Sequence, residues 1–248
     1  MTGIAILHSY GEILFAMGVN GFESDADKLP GRGKQGRRNT KSVGFRVLDF
    51  VWEDPNQMMR KLRYGNTNTY YVDGILVDTD MPDTLPAFYR ELKQKGLRAD
   101  DIRYVLATHY HPDHMGLISQ LMTLGVKLIL VDKQREYVHF SDPIFGRQPK
   151  LRYRPIPEKE AIVIGCAQSR QFLRSIGMNG EIVPTESHSP DGIALITDEG
   201  DCFVGDLEPM QYLAAYGDPS PLKQDWDRIL SCRPVNIYFG HMNDQRIR

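Results

Sequence analysis

Cysteine is scarce in this sequence, and neither sign of charge dominates it. The 248 residues include three cysteines, Cys166, Cys202 and Cys232, at wide spacings and without a CxxC pair. This pattern excludes a disulfide-rich scaffold and a thiolate zinc or redox motif, and it predicts three buried thiols in a reducing compartment. The formal net charge of −2 argues against a nucleic-acid partner and against a membrane-coating protein.

Long hydrophobic runs are also missing. No stretch approaches the roughly 20 consecutive apolar residues that span a bilayer, so we expect no membrane partner. The opening "MTGIAILHSYGEILFAMG" is apolar, but it has no basic leader and polar residues interrupt it between His8 and Glu12. We therefore expect no signal peptide, and the sequence predicts a cytoplasmic protein.

The length and the apolar content predict a single domain over residues 1–248. A chain of this size buries a sizeable core without disulfides or structural metals. Residues 24–41, "SDADKLPGRGKQGRRNTK", have the glycine, proline and charge content of an exposed loop. Their basic side chains predict solvated charge rather than a phosphate-binding surface.

Strand patterns dominate the first part of the chain. Two short strands flank "SYG", and "GFRVLDFVW", "MMRKLRY", "NTYYV" and "GILVDTD" predict an antiparallel meander. Asp73-Gly74, between the last two strands, is a type I′ hairpin signal. The pattern then predicts a βαβα succession after a first helix, with helices over 83–96, 115–125 and 133–140 and strands over 102–109 and 126–132.

The second part repeats this organisation. Residues 141–157, "SDPIFGRQPKLRYRPIP", mix proline, aromatic and basic residues, which is typical of an excursion over the surface. A helix over "QSRQFLRSIG" precedes three strands, "GEIVPT", "GIALITD" and "DCFVGD". An amphipathic helix over "PLKQDWDRILSC" and a buried strand over "VNIYFGH" follow.

The stretch "THYHPDH", residues 108–114, holds three of the seven histidines directly after a buried strand. In an extended strand end, His109 and His111 are two residues apart and point the same way, so both imidazoles can reach one cation. Asp113 and His114 follow at the turn into the next helix. Four nitrogen and oxygen ligands in one loop predict a metal site, and surface histidines near a turn are the less favoured alternative.

Three further polar residues stand where predicted strands end, namely His188, Asp206 and His241. A lone histidine or aspartate at a strand end is more often a cap or a solvated turn residue. Their shared position matters, because functional side chains gather at one edge of a sheet built from such units. We therefore expect these three residues to converge on the first cluster.

The His-x-His-x-Asp-His run, followed by an isolated His188, an isolated Asp206 and a final His241, resembles the motif set of the metallo-β-lactamase superfamily of metallohydrolases. The resemblance covers roughly Val43 to His241. It implies an α/β (α+β) fold, a four-layer αββα sandwich in which two mixed sheets pack face to face with helices outside. The strand sets in both halves of the chain agree with this fold.

The resemblance also implies roles for individual residues. It implies two metal sites bridged by Asp206, with the ligands His109, His111 and His188 in one site and Asp113, His114 and His241 in the other. Asp78 in "ILVDTD" matches the family's structural aspartate, which supports the ligand loop by hydrogen bonds and is not itself a ligand.

The implied reaction is hydrolysis of a small ester, lactone or thioester. Two divalent ions lower the pKa of a shared water towards about 7, so that a metal-bound hydroxide is the nucleophile and Asp113 orients it or carries its proton. Zinc is the expected metal, with manganese or iron as alternatives. A phosphodiesterase or nuclease of the same fold, and a non-catalytic metal-binding regulator, are the alternative functions. True β-lactamases of the family place a cysteine in the second site or lack the bridging aspartate, so Asp206 argues against antibiotic hydrolysis.

Substrate contacts are expected in residues 141–157 and in the stretch after Asp206. Tyr212 and Tyr216 in that stretch are candidates for donating a hydrogen bond to an oxyanion, and core residues of a short helix are the alternative. Tyr110 points away from its two neighbouring ligands if the segment is extended, which predicts a packing role. The expected partner is a small-molecule substrate, and the sequence leaves the oligomeric state open.

Overall fold

The computed structural model describes residues 59–247 and the backbone of two short strands, β1 (Leu7–Ser9) and β2 (Glu12–Leu14). These two strands pair antiparallel, as predicted around "SYG". The chain divides into two compact units, Met1–Val51 and Trp52–Arg248. The predicted strand "GFRVLDFVW" and the predicted loop over 24–41 lie outside the described residues, and the single domain over 1–248 stays a prediction.

The first sheet of the second unit has six strands in sequence order. They are β3 (Arg60–Leu62), β4 (Thr69–Val72), β5 (Ile75–Val77), β6 (Tyr104–Leu106), β7 (Lys127–Val131) and β8 (Ile162–Ile164). β3 to β5 form the predicted antiparallel meander, and β5 to β8 run parallel. Asp73 and Gly74 have φ values of 48° and 87°, the positive pair that a type I′ turn requires.

The second sheet has five strands in the order β13-β12-β11-β10-β9. They are β9 (Gly180–Pro184), β10 (Ile193–Thr197), β11 (Asp201–Gly205), β12 (Asn236–Phe239) and β13 (Gln245–Arg246). β11 and β12 are parallel, whereas the other pairs are antiparallel. β8 and β13, of three and two residues, were not predicted.

The helices are α1 (Leu85–Gln94), α2 (Pro112–Met115), α3 (Ile118–Thr123), α4 (Asp142–Gly146), α5 (Ser169–Ser175), α6 (Leu213–Tyr216) and α7 (Pro221–Ser231). None of these helices, in the part of the chain that the structure describes, is long and apolar enough to cross a membrane.

The helix predicted over 133–140 is wrong. A single 3-10 turn, Asp132–Gln134, is followed by irregular turns, because the buried Gln134 side chain reaches inward and donates to the Ala107 carbonyl at 3.0 Å. The excursion over 141–157 is less superficial than predicted. Phe145 and Ile156 within it are buried in the core.

The three cysteines are free thiols, but only one follows the prediction of burial. Cys202 lies in β11 and is buried, whereas Cys166 and Cys232 are partly exposed. Burial raises the pKa of the Cys202 thiol well above its ordinary value. Cys202 is therefore an inert core residue in the sheet rather than a metal ligand.

The two-residue alternation of each strand builds three apolar layers. Ile75 and Val77 of β5 belong to the layer between the two sheets, together with Leu195 of β10. Leu76 points to the other face, into an outer layer with side chains of α1 to α3 such as Phe88. α7 covers the second sheet with Leu222, Trp226 and Ile229. This arrangement confirms the predicted αββα sandwich.

The candidate ligand segments follow the carboxyl ends of parallel strands. β5 and β6 are parallel in the first sheet, and β11 and β12 are parallel in the second. Soon after these four strand ends come Asp78, His109, Asp206 and His241. Functional side chains collect at such edges because the strand ends lie side by side.

Candidate metal centre

Asp78 supports the histidine loop from directly after β5. Its carboxylate accepts hydrogen bonds from Thr108 N at 2.6 Å, Thr108 Oγ1 at 2.8 Å and His114 Nδ1 at 2.9 Å. The side chain is 2% exposed and its backbone has φ of 60°. The two bonds from Thr108 hold the histidine loop, and the bond from Nδ1 fixes the ring of His114 with Nε2 facing the cluster, which is the supporting geometry predicted for Asp78.

A first group of donor atoms consists of His109, His111 and His188. His109 Nε2 lies 2.9 Å from His111 Nδ1, and His188 Nε2 lies 3.3 Å from the same atom. Burial, reinforced by the neighbouring histidines, lowers the pKa of His109 far below its ordinary value. Burial also lowers the pKa of His188. Neutral imidazoles present the lone pairs that a metal ion needs.

A second group consists of Asp113, His114 and His241. His241 Nε2 lies 3.0 Å from Asp113 Oδ2, and His114 Nε2 lies 4.0 Å from the same oxygen. Asp206 lies between the two groups. Its Oδ2 is 3.3 Å from His114 Nε2, 3.4 Å from His241 Nε2 and 3.8 Å from His188 Nε2.

The donor set fits two divalent cations. His114 Nε2 and Asp206 Oδ1 are buried and form no hydrogen bond with any described residue, which is costly unless a cation satisfies them. Within each group the donor atoms lie within 4.8 Å of one another. Imidazole nitrogen and carboxylate oxygen are the ligands that zinc, manganese and iron share. All seven predicted ligands are brought together by the fold.

A glycine permits this close approach at the end of β12. A Cβ atom at Gly240 would lie 2.5 Å from Asp206 Oδ1 and 2.8 Å from His114 Cε1. The strand end that delivers His241 can therefore reach the cluster only without a side chain at residue 240.

The charges of the cluster depend on one another. Burial would lower the pKa of His114, but the adjacent carboxylates of Asp78 and Asp206 outweigh it and raise that pKa to about 10. Burial would raise the pKa of Asp206, but His114 and two further histidines lower it below its ordinary value. The metal-free chain therefore holds a proton on His114 beside an ionised Asp206.

Zinc binding at neutral pH is expected to release a proton, because His114 must be neutral to become a ligand. Its raised pKa keeps the proton bound at pH 7, so apparent affinity should rise about tenfold per pH unit for each proton displaced. Calorimetric titration with zinc in two buffers of different ionisation enthalpy counts the released protons. A binding heat that is independent of the buffer would contradict this expectation.

Thr67 and Asp80 support this centre, and no local sequence pattern indicates that role. Thr67 Oγ1 donates to Asp113 Oδ2 at 3.1 Å, and Thr67 N donates to Asp80 Oδ2 at 3.0 Å. Asp80 is 1% exposed. A Cβ at Gly65 would overlap the Asp80 carboxylate, so this loop needs a glycine there. Thr67 precedes Asp113 by 46 residues, which is beyond the reach of local pattern analysis.

Asp191 links the two ligand loops of the first group. Its buried carboxylate accepts from Tyr110 N at 2.7 Å, between the two strand-end histidines, and from the Ser189 hydroxyl next to His188. Gln134 Nε2 donates to the Asp191 carbonyl at 3.2 Å. The Pro-Asp-Gly signal around Asp191 predicts a turn, but it does not predict a partner 81 residues away.

Replacing Asp191 by asparagine is expected to lower zinc affinity by about 10- to 100-fold, as outer-shell partners of metal ligands do. The amide nitrogen would face either Tyr110 N or the Ser189 hydroxyl, which are both donors. One of these two hydrogen bonds is then lost, and the loops of His109 and His188 are no longer joined. Isothermal titration with zinc measures the change.

Asp201→Asn is the matched control. Asp201 is also buried and accepts from Asn236 Nδ2 at 2.8 Å, but it lies at the opposite end of β11 from Asp206. It should lose stability without losing zinc affinity. Equal losses of zinc affinity in both variants would show that Asp191 stabilises the fold and does not position the ligands.

The predicted tyrosines divide into two cases. Tyr110 is 1% exposed and belongs to the outer core, which confirms its packing role. Tyr212 and Tyr216 are 48% and 53% exposed, so the alternative that they are core residues is wrong. Tyr216 lines a cleft of about 170 Å³ with Ser187, His188, Glu208, Pro221 and Leu222. Tyr212 does not line that cleft.

Comparison with curated proteins finds distant relatives. The chain is 28% identical over 184 residues to Beta-lactamase-like protein 2 homolog of Drosophila melanogaster, covering 71% of this chain and 59% of the relative. It is 25% identical over 241 residues to the Atrochrysone carboxyl ACP thioesterase of Claviceps purpurea, covering 94% of this chain and 67% of the relative. The chain thus spans less than two thirds of the Drosophila protein.

Comparison with solved structures finds the same fold in TTHA1623, which was crystallised in a di-iron-bound form. The TM-score is 0.53 and the identity 24%, and the match covers 75% of this chain and 93% of that chain. Residues 62–241 match the family described as the Metallo-beta-lactamase superfamily. That range contains both groups of donor atoms and Asp206.

Proposed function

This chain belongs to the metallo-beta-lactamase superfamily, and from that premise we propose that it is a dinuclear metal-dependent hydrolase of a small ester, lactone or thioester. One observation carries the proposal. Two groups of nitrogen and oxygen donors meet at one edge of the sheets, with Asp206 close to both. The superfamily consists mostly of hydrolases.

The proposed ligands of the first metal are His109, His111 and His188, and those of the second are Asp113, His114 and His241, with Asp206 shared. Two divalent cations held there would supply a water of lowered pKa and would polarise the substrate carbonyl. Zinc is the proposed metal. The di-iron-bound neighbour of the same fold makes iron the first alternative to test, and manganese the second.

Asp113 is the proposed proton carrier. Thr67 Oγ1 and His241 Nε2 lie 3.1 and 3.0 Å from its Oδ2. Its Oδ1 forms no hydrogen bond with a described residue, and the side chain is 27% exposed. That oxygen is thus available to accept a proton from the attacking water and to deliver it to the leaving group.

The acyl bond is the favoured target. One relative, matched over 94% of this chain, is named an ACP thioesterase, which supports a thioester among the three proposed bonds. The alternative nuclease function depends on the basic residues of the predicted loop over 24–41, which lie outside the described residues. A true β-lactamase is disfavoured because Asp206, the proposed bridging residue, lies within 4 Å of histidines from both groups.

A hydrolysis panel tests this proposal. Metal-free protein reconstituted with zinc, iron or manganese would be assayed with lactones, thioesters, phosphodiesters and cephalosporins. We expect metal-dependent turnover of the acyl substrates and none of the cephalosporins. Phosphodiester turnover alone would establish the alternative function. Absence of turnover on every substrate, together with retention of a bound product-like ligand, would identify a regulator.

A further inference from the structure

The segment 141–157 concentrates positive charge in a chain whose formal net charge is −2. It contains four cationic residues within eight positions, Arg147, Lys150, Arg152 and Arg154. All four are exposed. None of them forms an ion pair with a described residue. We call these four side chains the basic patch.

The carboxylate within this segment does not neutralise the basic patch. Asp142 accepts from His139 Nδ1 at 2.8 Å and from the Tyr153 hydroxyl. The neighbouring Glu158 pairs with Arg135 Nε at 2.9 Å. These two acidic groups therefore already have partners, and the four cations remain available to an external anion.

Three contacts hold the segment against the edge of the first sheet where the donor residues lie. Ser141 Oγ donates to the Tyr110 carbonyl at 2.9 Å, between His109 and His111. The turn Pro149–Leu151 packs on the turn Pro82–Thr84, shortly after the carboxyl end of β5. The Pro155 carbonyl accepts from Ser119 Oγ at 3.3 Å, in α3. Each of these contacts follows β5 or β6, so the segment lies beside the site.

The cleft on the His188 side has the opposite character. The residues that line it include the carboxylate of Glu208 and no lysine or arginine. An anionic group would be repelled there. The basic patch and the cleft next to His188 therefore differ in charge, and a substrate with one anionic end has one favourable orientation.

Phosphate is the anion that clustered arginines bind best, because guanidinium groups donate two parallel hydrogen bonds to it. Nucleic acid is the less favoured source. Domains that bind nucleic acid usually have a pI above about 9, whereas the sequence pI here is about 6.4. A single small molecule with a few phosphates matches four cations better than a long polyanion.

We propose that the basic patch binds the phosphate groups of a phosphate-bearing thiol, so that the substrate is a thioester of such a thiol with its acyl part on the His188 side. This inference rests on the proposed hydrolase function and names its substrate class. The thiol is the leaving group. Water adds its oxygen to the acyl carbon, the C–S bond breaks, and the thiolate takes up a proton.

A graded series of thioesters tests the proposal. The same short acyl group would be supplied on pantetheine, on phosphopantetheine, on dephospho-coenzyme A and on coenzyme A. Phosphopantetheine differs from pantetheine by one phosphate alone, and so does coenzyme A from dephospho-coenzyme A. We expect kcat/KM to rise along the series through a falling KM, and the differences to shrink at high salt because exposed charges are screened. Equal values along the series would overturn the inference but leave the hydrolase proposal standing. No turnover of any member would count against both.

The decisive variant replaces all four cations of the basic patch with glutamine. We expect kcat/KM for the coenzyme A thioester to fall by at least about tenfold, since four exposed charge pairs act together. The value for the pantetheine thioester should not change. A control variant removes four exposed cations elsewhere, namely Arg90, Lys93, Lys127 and Arg174. It should behave as wild type.

A binding measurement keeps the proposal testable without turnover. S-ethyl coenzyme A, a thioether that cannot be hydrolysed, would be titrated into metal-free wild-type protein and both variants. Binding that weakens only in the basic-patch variant supports the inference. Equal binding to all three proteins would overturn it. Competition by a single-stranded RNA that the wild type also cleaves would overturn it in favour of a nucleic-acid substrate.

Discussion

Replacing His109 by alanine is expected to reduce metal-dependent hydrolysis by at least about a thousandfold, more than the roughly 10- to 100-fold loss typical of outer-shell changes. His109 is 2% exposed and contacts both groups of donors, since its ring lies 4.4 Å from that of His111 and 4.1 Å from that of His114. Removing it takes one nitrogen donor from the first group and leaves a gap beside His114 of the second group.

The thermal stability of this variant should also lose its dependence on added zinc. A ligand that binds only the folded chain raises the free energy of unfolding in proportion to the logarithm of its concentration. His139→Ala is the matched control. His139 is the one histidine among residues 59–247 that stands outside the cluster, and its side chain is 47% exposed. Wild-type kcat in the His109 variant would contradict the ligand role.

Replacing Asp206 by asparagine is expected to change the bound metal from two ions per chain to one, with hydrolysis reduced by at least about a hundredfold. The substitution keeps the size of the side chain but removes the charge that lies within 4 Å of His114, His188 and His241. An amide is a poor bridging ligand, so two cations would repel each other across it.

The stoichiometry of Asp206→Asn can be read by native mass spectrometry. Its free energy of unfolding in the absence of metal should stay near that of wild type or rise, because the buried Oδ1 of Asp206 forms no hydrogen bond within residues 59–247. Asp201→Asn again serves as the control, at the far end of the same strand. If the Asp206 variant still binds two metal ions per chain, Asp206 does not bridge them.

The metal cluster was predictable because its signals are local. The spacing of His109 and His111 reports a shared strand face, and His188, Asp206 and His241 each follow a buried strand. Parallel strands turn those separate signals into one prediction, since their carboxyl ends meet. The structure places all of these residues together.

The supporting residues were not predictable, because their roles depend on contacts between distant segments. Thr67 and Asp191 position the cluster through hydrogen bonds that span 46 and 81 residues. Gln134 explains the wrong helix over 133–140. The helical pattern predicts that its polar side chain is exposed. The side chain is instead fully buried and donates to the carbonyl of Ala107 after β6. Such tertiary contacts override local propensity.

The most direct test of the central claim is metal stoichiometry joined to activity. Protein stripped of metal by chelation would be titrated with zinc while bound metal and thioester hydrolysis are measured in the same samples. The account predicts two zinc ions per chain at saturation and a rate that follows occupancy. Full activity in the stripped protein would contradict it, and so would the absence of bound zinc at saturating zinc concentrations.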